Sequence, residues 1–348
     1  MGGVIMQVNL LPGPVKISED IQNSFIKAPI SHRGQEFIYE FDLTKQSLCN
    51  LVSASQVEIF MGSGTLANDV IAGQLSLEST PGIILSNGEF GERIIDHARR
   101  FNLEFKLLQR SWGEPFEHKD ITEIINNYTG VKWIWAVHCE TSTGMLNDIE
   151  FLKKECQIHK INLVLDCISS IGTTPVDLNQ VYLASCVSGK GLGSYPGLSM
   201  VFYNHSVHSA PNILPRYIDL GLQAEKGGIP FTFSSNLLYA LQTALERFTS
   251  DDVFNHTVEV STWLKEELKN IGFTPIISDL YSSPAVITVS LPEKLNSAEI
   301  GNILEKEGYL LSANSSYLIE RNWIQICLMG EFSRQTISPL LGLLKKFN

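Results

Sequence analysis

The chain lacks any apolar run long enough to cross a membrane and any concentration of positive charge. No stretch reaches the roughly 18 apolar residues that a membrane helix needs. The 26 lysines and arginines are outnumbered by 37 acidic residues, and the formal net charge of −11 at pH 7 argues against nucleic acid and anionic membranes as partners. The start of the chain, residues 1–6, has neither the basic and apolar regions of a signal peptide nor the hydroxyl residue of a myristoylation site.

Cysteine is scarce, and its six copies form no C-x-x-C pair. Most of them lie inside apolar runs, such as LVLDC at residues 163–167. We therefore expect buried, reduced thiols rather than a zinc site, and a cytoplasmic location. The six are Cys49, Cys139, Cys156, Cys167, Cys186 and Cys327.

The length of 348 residues and the hydrophobic content of 44% are typical of a globular protein with one large and one smaller domain. Short apolar runs at residues 57–61, 82–85, 133–137 and 161–165 predict buried strands, and residues with helical spacing separate them. This alternation predicts an α/β domain whose mostly parallel sheet is flanked by helices.

The pattern changes after about residue 250. A long amphipathic helix over residues 253–268, strands at 285–289 and 323–328, a helix at 297–307 and a terminal helix predict a small α+β domain. We divide the chain into an N-terminal segment (1–15), a large domain (16–250) and a small domain (251–348).

Three polar features follow predicted strands, at the edge where open α/β sheets bind ligands. The first is GSGT at residues 62–65, a turn that suits a phosphate at a helix N-terminus but that is common in proteins that bind nothing. The second is Asp166, which is either a ligand contact or a helix cap. The third is Lys190 in VSGKGLG at 187–193, which is either a nucleophile, a phosphate contact or a surface charge.

In order and spacing, these features resemble the class V aminotransferases, which are pyridoxal-phosphate (PLP) enzymes of fold type I. Within that family, the chain resembles the alanine–glyoxylate and 2-aminoethylphosphonate–pyruvate aminotransferases. The resemblance covers nearly the whole chain, beginning at LPGPV (11–15) and ISHRGQEF (30–37), and it includes HCETSTG at 138–144 and PFT at 230–232.

The resemblance implies a role for each matching residue. Lys190 would carry the cofactor as a Schiff base, and Asp166 would keep its pyridine nitrogen protonated. The other implied cofactor contacts are Ser63, Gly64 and Thr65 at the phosphate, Phe90 stacked on the ring, Thr141 at the phenolic oxygen, Ser188 beside the lysine, and Thr232 at the phosphate of the second subunit of a homodimer. Without the resemblance, Phe90 would be read as a core helix residue.

The chain departs from the family pattern at two positions. Gly189 stands where relatives often place Gln or Asn, so that one polar contact is missing or supplied elsewhere. Gln325 stands where relatives place the arginine that pairs with the substrate carboxylate, and the predicted strand at 323–328 should put its side chain at the mouth of the site, as the family's arginine is placed. A neutral amide cannot replace a guanidinium that pairs with a carboxylate through two charged hydrogen bonds. We therefore expect either that Arg321 or Arg33 binds the substrate carboxylate, or that the substrate is not an ordinary α-amino acid.

These observations favour an aminotransferase that moves an amino group from a small amine or amino acid to a 2-oxo acid of the pyruvate or glyoxylate type. Gln325 leaves as the alternative a PLP-dependent lyase, decarboxylase or other non-transaminating enzyme that acts on an atypical substrate. A cofactor-retaining protein without turnover is a third reading, against which the set of Lys190, Asp166 and Thr141 counts. Cysteine desulfurase fits poorly. Sequences of that group carry a reactive cysteine on a mobile loop, and the corresponding residues 311–321 contain no cysteine.

Overall fold

The computed structural model describes residues 7–250 and 252–347. Residues 1–6 of the predicted N-terminal segment and residue 251 at the predicted domain boundary lie outside the described residues. The strands are β1 Val8–Leu10, β2 Gln56–Met61, β3 Gly82–Ser86, β4 Phe105–Gln109, β5 Trp133–Val137, β6 Cys139–Glu140, β7 Met145–Leu146, β8 Asn162–Asp166, β9 Leu183–Val187, β10 Leu198–Tyr203, β11 Val286–Ser290, β12 Tyr309–Leu311 and β13 Trp323–Cys327. The helices are α1 Glu19–Phe25, α2 Gln35–Val52, α3 Gly64–Ser76, α4 Glu89–Arg100, α5 His118–Asn127, α6 Ile149–His159, α7 Leu220–Glu225, α8 Ser235–Leu245, α9 Asp252–Asn270, α10 Ser297–Lys306, α11 Ser316–Arg321 and α12 Arg334–Leu344.

A seven-stranded sheet with the order β2-β10-β9-β8-β5-β3-β4 forms the centre of the molecule. All neighbouring pairs are parallel except those of β10, which is antiparallel to both β2 and β9. Strands β3, β5, β9 and β10 are buried along their whole length, because apolar clusters cover both faces of the sheet. The predicted α/β fold with a mostly parallel sheet is confirmed.

The direction of the strands determines where the polar features meet. Two antiparallel pairings, on either side of β10, leave β2 running in the same direction as β9 and β8. The carboxyl ends of β2, β5, β8 and β9 therefore lie at one edge of the sheet. All three polar features of the sequence lie at this edge, with Asp166 as the last residue of β8 and the other two in the segments after β2 and β9. They form the candidate site.

The C-terminal part has its own apolar cluster, to which Leu264, Ile287, Ile326 and Leu340 belong. Strand β11 pairs with β13, and β12 pairs in parallel with β1 from the start of the chain. The N-terminal strand thus packs with the C-terminal elements rather than with the large sheet. Among the described residues, no helix is both long and apolar enough to span a bilayer.

Candidate active site

Lys190 lies in the loop after β9, and its side chain points toward the segments that follow β8 and β3. Its Nζ donates a hydrogen bond of 2.9 Å to Ser169 Oγ and lies 5.2 Å from the centre of the Phe90 ring. Burial lowers the pKa of the Lys190 amine, and the nearby charge of Asp166 opposes this effect. A larger share of the amine is therefore unprotonated and nucleophilic near neutral pH.

The loop that carries Lys190 is fixed by Ser188 and by a tight packing contact. The Ser188 hydroxyl donates to the carbonyl of Tyr195 at 2.6 Å and accepts from the amide of Leu198 at 3.3 Å. A side chain at Gly189 would place its Cβ 2.8 Å from Cα of Pro196. Gly189, at which the chain departs from the family pattern, thus lets Pro196 pack against the loop. The predicted contact of Ser188 with a cofactor stays a prediction.

Thr141 belongs to the same polar group as Lys190. Its hydroxyl lies 2.5 Å from Ser169 Oγ, so Ser169 bridges Thr141 and the Lys190 amine. The neighbouring His138 is buried, and its burial lowers the pKa of the imidazole to about 4. His138 is therefore neutral at physiological pH and adds no charge to the site.

Asp166 ends strand β8 and is only 4% exposed. Its Oδ2 accepts from Asn68 Nδ2 at 2.8 Å, and its Oδ1 accepts from the amide of Ile168 at 3.0 Å. Among the described residues it forms no ion pair within 4.0 Å. A buried carboxylate with only neutral partners is well suited to a cationic N–H group of a ligand.

The N-terminus of α3 lies at the same edge of the sheet. Ser63 occupies the cap position with an extended backbone, and its hydroxyl makes no capping hydrogen bond to the helix. A Cβ at Gly64 would approach Ile168 Cδ1 to 2.6 Å, so glycine lets the Ile168 side chain pack closely against the start of the helix. The free hydroxyl and the positive end of a 13-residue helix suit an anionic group.

Glu140 fixes the position of Phe90, a role that the sequence analysis did not assign. Its buried carboxylate accepts from the amides of Phe90 at 3.1 Å and Gly91 at 3.0 Å, and from the Ser142 hydroxyl at 2.5 Å. It thereby caps α4, although burial raises its pKa and these hydrogen bonds oppose that rise. A Cβ at Gly88 would lie 2.4 Å from the Glu140 carboxyl carbon, which explains why glycine precedes the helix.

Gln325 lies on β13 as predicted, but its side chain is fully buried rather than open at the mouth of the site. Its Nε2 donates to the carbonyls of Thr141 at 2.7 Å and Ser142 at 3.0 Å and to Thr288 Oγ1 at 2.8 Å. These acceptors occupy the amide hydrogens, so Gln325 joins the C-terminal sheet to the segment that carries Thr141. Its contact with a substrate stays a prediction.

The two candidate arginines are placed differently. The Arg321 guanidinium lies 3.6 Å from the centre of the Trp112 ring, and its nearest carboxylate is that of Glu320 at 3.7 Å. Arg33 is exposed, and its side chain forms no ion pair in the described part of the chain. Thr232 is also exposed in the single chain.

The Aminotransferase class-V family model matches residues 17–214. The chain belongs to this family. A 2-aminoethylphosphonate–pyruvate transaminase of Vibrio cholerae is 22% identical over 96% of the chain and 95% of its own length. The class-V aminotransferases are PLP-dependent transferases, and the family match confirms the predicted enzyme class.

Solved structures have the same fold. An alanine–glyoxylate aminotransferase from Nostoc sp. superposes with a TM-score of 0.88 at 23% identity, covering 99% of this chain and 96% of that one. A ureidoglycine–glyoxylate aminotransferase from Bacillus subtilis gives 0.89 at 19% identity, covering 98% and 92%. The class-V chain described here therefore has PLP fold type I, as predicted.

Proposed function

We propose that the chain is an aminotransferase that moves an amino group from a small amine or amino acid to a 2-oxo acid of the pyruvate or glyoxylate type, with PLP held on Lys190. The observation that carries the proposal is the position of the Lys190 amine. It is hydrogen-bonded through Ser169 to Thr141 and lies beside the Phe90 ring, at the edge of the sheet where Asp166 ends its strand.

The residues of this edge fit the cofactor part by part. Asp166, with its neutral partners, would receive the pyridine N–H, and Phe90 would stack on the ring. The phenolic oxygen would bond to Thr141. The phosphate would lie at the α3 N-terminus with Ser63, Gly64 and Thr65, and Ser188 would support the lysine loop. When bound, PLP supplies an electron sink that stabilises negative charge on the carbon bearing the transferred amine.

Lys190 has two tasks in this proposal. Its unprotonated amine would attach the cofactor and would be released when the substrate amine arrives. The freed amine would then move a proton at the substrate carbon, for which a lowered pKa is favourable because it increases the share of the base form. The hydrogen bond to Ser169 would hold the free amine in place before it attaches the cofactor and after its release.

The cofactor-loaded protein tests the proposal with single amines and no oxo acid present. An aminotransferase converts its cofactor stoichiometrically to the pyridoxamine form, and pyruvate or glyoxylate then restores the starting spectrum. Release of an elimination or decarboxylation product with the cofactor unchanged would establish the lyase alternative instead. No spectral change with any amine of the panel would contradict both.

For the substrate's anionic group we propose Arg321. It lies on α11, one turn after Tyr317, and the Tyr317 hydroxyl is 3.4 Å from Gln325 Oε1. Arg321 is thus next to the strand position from which relatives supply their arginine. Its partly exposed guanidinium is held over Trp112 and keeps donors available to a carboxylate or phosphonate.

We expect Arg321→Met to raise KM for an anionic substrate with a smaller effect on kcat. Loss of one charged hydrogen-bonding group costs about 1.5–3 kcal/mol, or roughly 10- to 150-fold in KM. Arg334→Met is the matched control, since that guanidinium also lies over a tryptophan, Trp263, but is paired with Glu259. An unchanged KM in Arg321→Met together with a raised KM in Arg33→Met would assign the role to Arg33.

We also propose that the chain acts in the cytoplasm as a homodimer with shared active sites. Thr232 adjoins Phe231, whose ring stacks on Tyr217 at 4.5 Å. Tyr217 is 58% exposed and Met61 is 42% exposed. Apolar side chains exposed beside a predicted cofactor contact are typical of an interface, and a second subunit would bring Thr232 to its partner's phosphate.

Mixed dimers test the sharing of sites. Lys190→Ala and Thr232→Ala subunits are each expected to lose most activity as homodimers. When they are unfolded together and refolded, one of the two active sites in each mixed dimer has both an intact Lys190 and an intact Thr232, so that activity returns in part. A Thr232→Ala homodimer with full activity, or a fully active monomer in sedimentation, would refute the arrangement.

A further inference from the structure

A second polar cavity lies apart from the Lys190 site, between α9 and residues 279–284. It has a volume of about 460 Å³ and a wall rich in hydroxyl groups. Its hydroxyl-bearing lining residues are Thr174, Ser261, Thr262 and Ser282, and its charged ones are Lys265, Glu266, Lys269 and Asp279. No residue of this wall contributes to the proposed PLP site.

Lys265 is the unusual member of this wall, because it is only 8% exposed. Its Nζ donates to Ser282 Oγ at 2.6 Å and lies 3.5 Å from the carbonyl of Ser283. The charge of Asp279 raises the pKa of Lys265, but the Asp279 carboxylate is paired with Lys269 at 3.0 Å. Lys265 itself forms no ion pair within the described part of the chain, so one N–H group and its positive charge lack a partner.

Ser261 provides a second, independent observation. It precedes Lys265 by four residues on α9, so both side chains lie on the same face of the helix. Ser261 is 2% exposed, and its Oγ has no hydrogen-bond partner among the described residues. A buried hydroxyl without a partner is unfavourable, and this one lines the same cavity as the unpaired ammonium.

We propose that this cavity binds a small oxyanion, the phosphate or carboxylate group of a metabolite, through Lys265, Ser261 and Ser282. An oxyanion supplies the negative charge that Lys265 lacks and acceptors for the hydroxyls. Burial lowers the pKa of Lys265, which is the destabilisation that a bound anion would relieve.

The cavity is connected to the proposed active site through the backbone. The amide of Ser283 donates to the carbonyl of Gly144 at 2.7 Å, and the amide of Leu146 donates to the carbonyl of Tyr281 at 2.7 Å. Residues 281–283, which include the anion ligand Ser282, are therefore paired with the end of the segment that carries Thr141. The site is placed to act as an effector site on that segment.

The test uses the cofactor-loaded protein, in which the proposed PLP phosphate position is filled, at constant ionic strength and without substrate. Inorganic phosphate and, in a separate arm, acetate are titrated while the unfolding temperature and, for phosphate, the ³¹P line width are recorded. We expect saturable binding to the parent and at least tenfold weaker binding to Lys265→Met. Lys306→Met removes an exposed lysine of α10 and should bind as the parent does.

Saturation by phosphate alone would assign a phosphate group, and saturation by acetate as well would extend the site to carboxylates. Ser261→Ala should weaken anion binding several-fold. If Lys265→Met does not fold, Ser261→Ala serves as the test variant in its place. Absence of saturable binding in both arms, or equal affinity in the parent, Lys265→Met and Ser261→Ala, would overturn the proposal. Since no turnover is measured, neither result depends on the aminotransferase assignment.

Discussion

Lys190→Ala is expected to lose the visible absorbance of the lysine-bound cofactor and nearly all turnover. The substitution removes the nucleophile that attaches the cofactor and the base that moves the proton. The proton-transfer role alone contributes typically 10²- to 10⁴-fold to a rate. Absorbance spectra of the protein reconstituted with PLP, together with steady-state turnover, measure both losses.

The matched control for Lys190→Ala is Lys306→Ala, which removes an exposed lysine from α10. It should leave the spectrum and turnover unchanged. Thermal unfolding of the apo forms shows whether the site variant is folded, which is expected because a smaller side chain at residue 190 creates no clash. Full turnover in folded Lys190→Ala would remove Lys190 from the chemistry.

Asp166→Asn is expected to weaken cofactor binding and to slow turnover while preserving the fold. The substitution keeps the size of the side chain but removes the charge that would pair with the pyridine N–H. Removing one partner of a buried charge pair costs on the order of 2–5 kcal/mol, which corresponds to roughly 30- to 5,000-fold. Cofactor dissociation, followed by fluorescence during dialysis, and kcat at saturating cofactor separate the two effects.

The control for this variant is Asp148→Asn. Asp148 caps α6, where its Oδ1 accepts from the amide of Phe151 at 2.9 Å, and its Oδ2 lies 3.1 Å from His118 Nε2. The same chemical change is thus made at an exposed capping aspartate outside the proposed cofactor site. It should cost some stability and no cofactor affinity. If Asp166→Asn behaves in the same way, Asp166 serves only to hold the turn after β8 through its hydrogen bonds with Asn68 and the Ile168 amide.

Much of the fold could be predicted from the sequence because buried parallel strands are continuous apolar runs. The run at residues 133–137 coincides with β5, and those at 57–61 and 82–85 differ from β2 and β3 by one residue. Strand β4, with the sequence FKLLQ, was missed because it lies at the sheet edge and three of its five residues are exposed. The antiparallel direction of β10 has no local signal, since the partners β2 and β9 are distant in sequence.

The candidate site was predictable only where its residues follow strands in a recognisable motif. Lys190 and Asp166 stand out in this way, and the structure places them at the same sheet edge. Ser169 bonds to Lys190, and Asn68 bonds to Asp166. Ser169 lies in a turn and Asn68 in a helix, where serine and asparagine are common, so no sequence pattern marks either residue as part of the site. Glu140 could be read in its motif, but its capping of α4 depends on a contact 50 residues away in sequence.

The contacts of the Gln325 side chain could not be predicted from the family pattern. The substitution for arginine was visible in the sequence, and it suggested a neutral contact at the mouth of the site. The structure shows a buried amide that bonds to residues 184 and 183 positions earlier in the chain, a use that only the packing of β13 against the Thr141 segment reveals. The cation that replaces the family arginine must therefore be sought nearby, which is why Arg321 is proposed.

The most direct test of the account is the identity of the lysine that carries the cofactor. The PLP-loaded protein is reduced with borohydride, digested and analysed by peptide mass spectrometry. We expect the pyridoxyl adduct on the peptide containing Lys190 at close to one equivalent per chain, and its absence from the peptide containing Lys265, a second lysine whose pKa is lowered by burial. A stoichiometric adduct on Lys265 or any other lysine, with Lys190 unmodified, would contradict the proposed site.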